Sequence, residues 1–359
     1  NSPQLEDLIT DIIIEDTDNF WVSTLGSGIF HYNGVEWQVY NESNTGYPID
    51  YVMQMVLDNE GNKWFGTVTG EGGVGNGLWK TFDGTNWEGY NTVNSDILGD
   101  GILSLEADNN GTLWIGHGEG IQTFDGVNWA EYSPPDSYIH YVSSIGFGQD
   151  NKVWFGTNWN INGEYVGGLY SYDTQTEEWK NYNTANSGLP DNNVFGIDVD
   201  DDGTIWLATF GGAVKFDGIG SWEVFNTQNS DITGNFLLRV MIDKDGNKWF
   251  TEITEFTESL ENLTISIIKY DGNNWTEEEK GLLGTDLYNN EYFSTLNGLC
   301  IYGICGGDFS CFTYPDEIIG NWRGGEAHYN NPDCSGDPIE VKPSKSQITF
   351  KDDGILSHK

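Results

Sequence analysis

Residues 182–218 read YNTANSGLPDNNVFGIDVDDDGTIWLATFGGAVKFDG, and this stretch decides the fold. Val194-Phe195-Gly196-Ile197-Asp198-Val199 is a short, partly alternating apolar run of strand type. Asp201-Asp202-Gly203 turns the chain into a second run, Thr204-Ile205-Trp206-Leu207-Ala208-Thr209. A third run follows Gly211-Gly212, and Asp217-Gly218 leads to a fourth around Trp222. Asp-Gly between short apolar runs is a strong hairpin signal. The stretch therefore predicts four antiparallel strands, A to D, joined by tight turns.

The same unit recurs along the chain. Trp21, Trp64, Trp114, Trp154, Trp206 and Trp249 each sit in a strand-B context, as in GNKWFGT, GTLWIGH and NKVWFGT. Trp37, Trp87, Trp129, Trp179, Trp222 and Trp275 form a strand-D series, mostly after an aromatic-Asp-Gly turn. The period is 40 to 53 residues, which suits a four-stranded propeller blade. A lone blade cannot cover both its faces, whereas six arranged radially can. The sequence therefore predicts an all-β, six-bladed β-propeller over residues 1–280, with a cysteine-containing extension over 281–359. The tryptophans read as packing between blades.

Spacing separates scaffold from decoration. The interval between the two tryptophans of a blade runs 16, 23, 15, 25, 16 and 26 residues. Even blades thus carry an insert between strands B and C, at 68–76, 158–167 and 252–264. The B–C and D–A loops of a blade share one face of a propeller. Loops on a rigid scaffold are where binding usually resides, so this face is the expected functional one.

Composition excludes some partners. Fifteen Lys and Arg face 56 Asp and Glu, a net charge of −41. A nucleic acid would be repelled, and so would an anionic membrane surface. No apolar run reaches membrane-spanning length, so no direct membrane insertion is expected. Cys300, Cys305, Cys311 and Cys334 all fall in the extension. Four cysteines clustered in a short glycine-rich segment predict disulfides and an oxidising compartment, with three pairings open.

The repeat resembles the two-component regulator propeller repeat. The resemblance rests on the Asn-Ser-Gly-Leu-Pro linker, the Asp-x-x-Gly-x-x-Trp turn and strand, and the Gly-Gly-x-x-x-Phe-Asp-Gly turn. It extends imperfectly over residues 5–280. It implies an extracytoplasmic bacterial propeller, secreted or on the outer cell surface, of a kind that often senses glycans. It carries no catalytic motif across, and nothing kinase-like appears in this chain. The segment Gly320-Asn321-Trp322-Arg323, then Cys334, then Phe350-Lys351-Asp352-Asp353-Gly354 resembles the opening of a bacterial lipocalin-like domain. Residues 320–359 are too few to close a barrel, so an incomplete second module is expected.

Several residues are candidates for binding. Asp50, Asp100, His140, Asn192 and Asn235 precede strand A and would form a polar collar at the channel mouth. As plain structure, they would be loop ends that accept backbone hydrogen bonds. Trp159 and Tyr165 in the blade-4 insert offer flat faces for a sugar ring. Glu71, Glu252 and Glu255 could add polar contacts from the other two inserts. Asp198, Asp200 and Asp202 match the start of a calcium loop, although no bidentate Glu follows and an Asp-rich turn explains them as well. No other cofactor is implied. The expectation is a non-enzymatic binding or scaffold propeller that takes a glycan or protein partner. The alternatives are an interaction subunit of a cell-envelope complex and a metal-assisted lyase using His117.

Overall fold

The computed structural model describes residues 9–16, 19–68, 75–135, 137–149, 151–158, 167–255 and 264–278, together with the strand backbones of the extension. Six sheets follow one another, each of four antiparallel strands in the order A-B-C-D. Blade five has strands Val194–Val199, Ile205–Thr209, Gly212–Phe216 and Trp222–Phe225. Among the described residues, helix is limited to one turn at Glu42–Thr45. The inner strands of the six blades are Ile9–Asp16, Val52–Leu57, Ile102–Ala107, Val142–Phe147, Val194–Val199 and Phe236–Ile242.

The strand-B tryptophans fill the seams. Trp21 packs on Val52, Met55 and Phe65 of blade two, and Trp64 on Ile102, Leu105 and Phe124 of blade three. Trp114, Trp154 and Trp206 repeat the arrangement against blades four, five and six. Each is a large apolar surface that only the next blade can cover, and deleting such a side chain typically costs about 3–5 kcal/mol. The strand-D tryptophans stay half-buried, and in every blade but the second they cover an aromatic ring on strand C of their own blade. Trp222 stacks on Phe216 with centroids 3.7 Å apart, and Trp129 on Phe124 at 4.2 Å.

A second set of contacts stitches the inner strands. Five inner strands bulge after their first residue and that of blade six after its second, Leu237, which re-aims the next side chains. Polar side chains beside the bulge then bond to the backbone of the following blade. Asp11 Oδ2 accepts from Met55 N at 2.9 Å, and Gln54 Oε1 from Leu105 N at 2.7 Å. Ser104 donates to Val142 O, and Ser143 to Val194 O. Asp198 Oδ2 accepts from Ile242 N at 2.8 Å. The last seam uses Arg239, which donates to Thr10 O at 2.6 Å and to Asp11 Oδ1 at 3.2 Å. Side chains thus link blade one to two, and so on round to six and back to one.

Residues of the extension form a five-stranded antiparallel sheet from Gly281–Thr285 to Glu317–Ile319. Its first strand lies against the inner strand of blade one and against strands A and B of blade six. Within the lipocalin-like segment only four two-residue strands are described, paired as two hairpins. The rest of that segment lies outside the described residues.

Candidate ligand-binding face

The B–C and D–A loops meet on one face. Gly26 N and Gly28 N, in the B–C loop of blade one, both donate to Asp50 O at the entry to blade two. Gly77 N donates to Asp100 O in the same way one blade on. Four blades hold the start of strand C with a threonine at the end of strand B. Thr24, Thr67, Thr157 and Thr209 donate to the carbonyls of Gly28, Gly77, Gly168 and Gly212. Gly212 has φ +117°, and a Cβ there would lie 2.1 Å from Phe225 O, so only glycine fits. Blades three and six replace this threonine with His117 and Glu252, both fully buried.

The residues expected to form a polar collar stand just before strand A, and the oxygens of four of them are engaged. Asp50 accepts from Glu42 N at 2.6 Å, Asn192 from Thr184 N at 2.9 Å and Asn235 from Thr227 N at 2.9 Å. Asp100 accepts from both Thr92 N and Thr92 Oγ1. Each thereby closes the linker that enters its blade. His140 stands on the shorter linker before blade four, exposed, with Nδ1 3.3 Å from Gly118 O.

The three aspartates of the calcium motif are not brought together. Asp198 turns to the seam with blade six, where burial pushes its pKa up to about 6. Asp200 pairs with Lys248 of blade six at 2.6 Å. Asp202 accepts from Thr204 N within the hairpin turn. Among the described residues no group of three or more His, Cys, Asp or Glu is placed to hold a metal ion. The donor set therefore fits an Asp-rich turn and an ion pair between blades, and does not fit calcium.

Glu71, Trp159 and Tyr165 lie outside the described residues, as do Cys305 and Cys334. The insert of blade six is partly regular. Strands B and C extend there to Lys248–Glu255 and Thr264–Tyr270, so Glu252 and Glu255 sit on a strand and not in a loop. Glu252 Oε2 accepts from Thr233 Oγ1 at 2.5 Å, and burial raises its pKa. His117 is sealed from solvent, and burial lowers its pKa to about 4. A neutral imidazole with no access to a substrate is poorly suited to catalysis.

The structure also shows a group that the candidate list lacked. Phe195, on the bulge of blade five, stacks on Phe210 of its B–C loop at 4.6 Å. Phe210 meets Phe236, at the entry to blade six, edge to face at 5.1 Å. Phe236 and Tyr51, at matching positions of blades six and two, are each 38 % exposed. Tyr141 occupies the matching position in blade four with φ +51°, an uncommon conformation for a bulky residue. These rings stand at the channel end of the inner strands. The inserts start beside them: Val68 N donates to Tyr51 O, and Asn158 N to Tyr141 O. The signal in the sequence was the column thirteen residues before each strand-B tryptophan, which reads Tyr51, Tyr141 and Phe236 in the even blades.

Below this mouth the inner strands carry charge. Glu106 keeps partial solvent exposure, yet burial and the carboxylates of Asp11 and Asp198 push its pKa up to about 8. Arg239 is the cation among them, and the chain contains only one other arginine, Arg323.

Comparison with known proteins agrees with this geometry. A two component regulator propeller family model matches residues 188–211. No curated protein matches the chain. The extracellular domain of the putative hybrid two component system BT3049 from B. thetaiotaomicron aligns with TM-score 0.65 and 22% identity, over 85% of this chain and 40% of that one. Virginiamycin B lyase from Staphylococcus aureus aligns with TM-score 0.60 and 17% identity, over 82% of this chain and 94% of that one. PorZ, a surface component of the type-IX secretion system of Porphyromonas gingivalis, aligns with TM-score 0.59 and 15% identity, over 79% and 45%. At these identities the likeness is one of fold. Among the described residues no helix is long and apolar enough to cross a membrane. The chain is a six-bladed propeller in which residues 188–211 match the two component regulator propeller repeat.

Proposed function

We propose that this protein is an extracytoplasmic, non-enzymatic binding propeller that takes a glycan at the channel mouth of its B–C loop face. One observation carries the reading: Phe195, Phe210, Phe236 and Tyr51 present aromatic surface at that mouth, beside the bases of the inserts. Flat rings on a rigid scaffold suit the C–H faces of sugars at little entropic cost. The net charge of −41 favours a neutral or cationic ligand over an anionic one. The likeness to extracellular domains of putative two component systems supports the location.

A glycan array with the intact chain tests this, with Phe210→Ala and Phe236→Ala as controls. Loss of the aromatic contacts is expected to weaken binding by tenfold or more, since a base or ring stacked on an aromatic is typically worth about 1–3 kcal/mol. Unchanged binding in the double variant removes the platform from the proposal. A second reading is an interaction subunit of an envelope assembly. The likeness to PorZ favours it, and co-isolation of a stable protein partner without glycan binding would select it.

A further inference from the structure

The backbone places two of the four cysteines opposite each other. Strands Gly298–Tyr302 and Phe309–Thr313 pair antiparallel, and the register sets Cys300 against Cys311. Directly opposed residues in such a pair have Cα atoms roughly 4.5 or 5.5 Å apart. Disulfides span Cα separations of about 4.4–6.8 Å. Both types of antiparallel position fall within this Cα range, and the closer, non-hydrogen-bonded type also brings the Cβ atoms nearest to disulfide reach.

We propose that Cys300 and Cys311 form a cross-strand disulfide that holds the sheet at the seam between blade six and blade one. Blade one gives the seam its importance. Among the described residues, Ile12, Phe20, Val22 and Phe30, with Trp37 and Val39 against them, form an apolar cluster of blade one. The clusters at the five other seams combine two blades. The first strand of the extension sheet lies against blade one and blade six at this place. A crosslink two strands further out fixes the register of that sheet and so keeps its inner strand seated. A one-residue slip of that register would exchange the faces of the sheet.

The chemistry needs a disulfide oxidant. One thiolate attacks the oxidant to give a mixed disulfide and release one of its thiols. The second thiolate then displaces the other, so that the S–S bond forms and two electrons and two protons pass to the oxidant. The extracytoplasmic location proposed above would supply such an oxidant in the cell. The test does not depend on it, because oxidised glutathione serves for the purified chain.

The intact protein is oxidised with glutathione disulfide, alkylated, digested without reduction and mapped by mass spectrometry. Chymotrypsin after Tyr302 and cleavage before Asp308 separate Cys300, Cys305 and Cys311. The expected product is a peptide pair joined through Cys300 and Cys311. Linkage of either residue to Cys305 or Cys334, or free thiols at both, overturns the proposal. In limited proteolysis, Cys300→Ser with Cys311→Ser is expected to speed cleavage within 281–359 at least fivefold over the oxidised parent. Equal rates would overturn the role in holding the sheet, even if the bond itself is found.

Discussion

Replacing Arg239 with methionine should loosen the seam between blades six and one while leaving the other five intact. The guanidinium makes two bonds there, to Thr10 O at 2.6 Å and Asp11 Oδ1 at 3.2 Å. Methionine keeps most of the apolar stem, so the loss is mainly electrostatic. The bond to a neutral carbonyl and the charge-assisted bond together are worth about 3 kcal/mol. Arg239 is 32% exposed, so solvent screening lowers the expected cost to about 2 kcal/mol. Asp11 is then left buried with only the N–H groups of Ile12 and Met55 for its charge. Burial already raises its pKa, with Arg239 opposing the rise. Without Arg239 the folded chain holds this proton more tightly than the unfolded chain, so stability falls as pH rises above about 4. The penalty should therefore be small in acid and full at neutral pH. Native-state hydrogen exchange reads it directly. A local loss of about 2 kcal/mol corresponds to roughly thirtyfold faster exchange in Ile9–Asp16 and at Met55. Asp11→Asn in the same background should recover about 1 kcal/mol, because it removes the stranded charge. Uniform acceleration across all six inner strands, or a change below about 0.5 kcal/mol at pH 7, would refute the stitched-seam account.

Three further outcomes follow from the same inner face and loops. Burial and the nearby carboxylates of Asp11 and Asp198 push the Glu106 pKa from its ordinary 4.5 up to about 8, so the native state loses stability as pH rises through that window. Glu106→Gln should flatten this slope and raise the urea midpoint at pH 9 relative to the parent, with little change at pH 4. Gly212→Ala must place a Cβ 2.1 Å from Phe225 O at φ +117°, and should cost about 3 kcal/mol or abolish folding of blade five. Thr209→Val removes bonds to Gly212 O and Gly211 N and should cost about 1–2 kcal/mol by urea unfolding, while preserving shape.

Much of the fold was legible because the blade is a local object. Each four-stranded unit is set by turn residues and by apolar runs of strand length, and both signals repeat six times. The strand boundaries read from residues 182–218 differ from the folded ones by a residue at most. The site was less legible. Asp50, Asp100, Asn192 and Asn235 stand at the entry to strand A, and the sequence left open which groups would engage their oxygens. The answer is an N–H eight residues upstream, closing the linker. The Asp198-x-Asp200-x-Asp202 spacing resembled a metal loop because it is written on a strand and a turn. Only Asp198 lies on the strand, which ends at Val199, while Asp200 and Asp202 follow where the chain reverses, and that sends these carboxylates to different partners.

The sequence by itself determined the repeat, its strands, the tryptophans that need a neighbour, and the face that carries the inserts. These follow from short-range sterics and from apolar surface that must be covered. The tertiary structure alone decided how the ring is stitched and what gathers at its mouth. Arg239 meets Thr10 and Asp11 across more than two hundred residues, and Phe195, Phe210 and Phe236 meet across a seam. No local pattern encodes the contacts of Arg239 with Thr10 and Asp11 or of Phe236 with Phe210, because those partners lie on different blades and closure of the ring sets their separation.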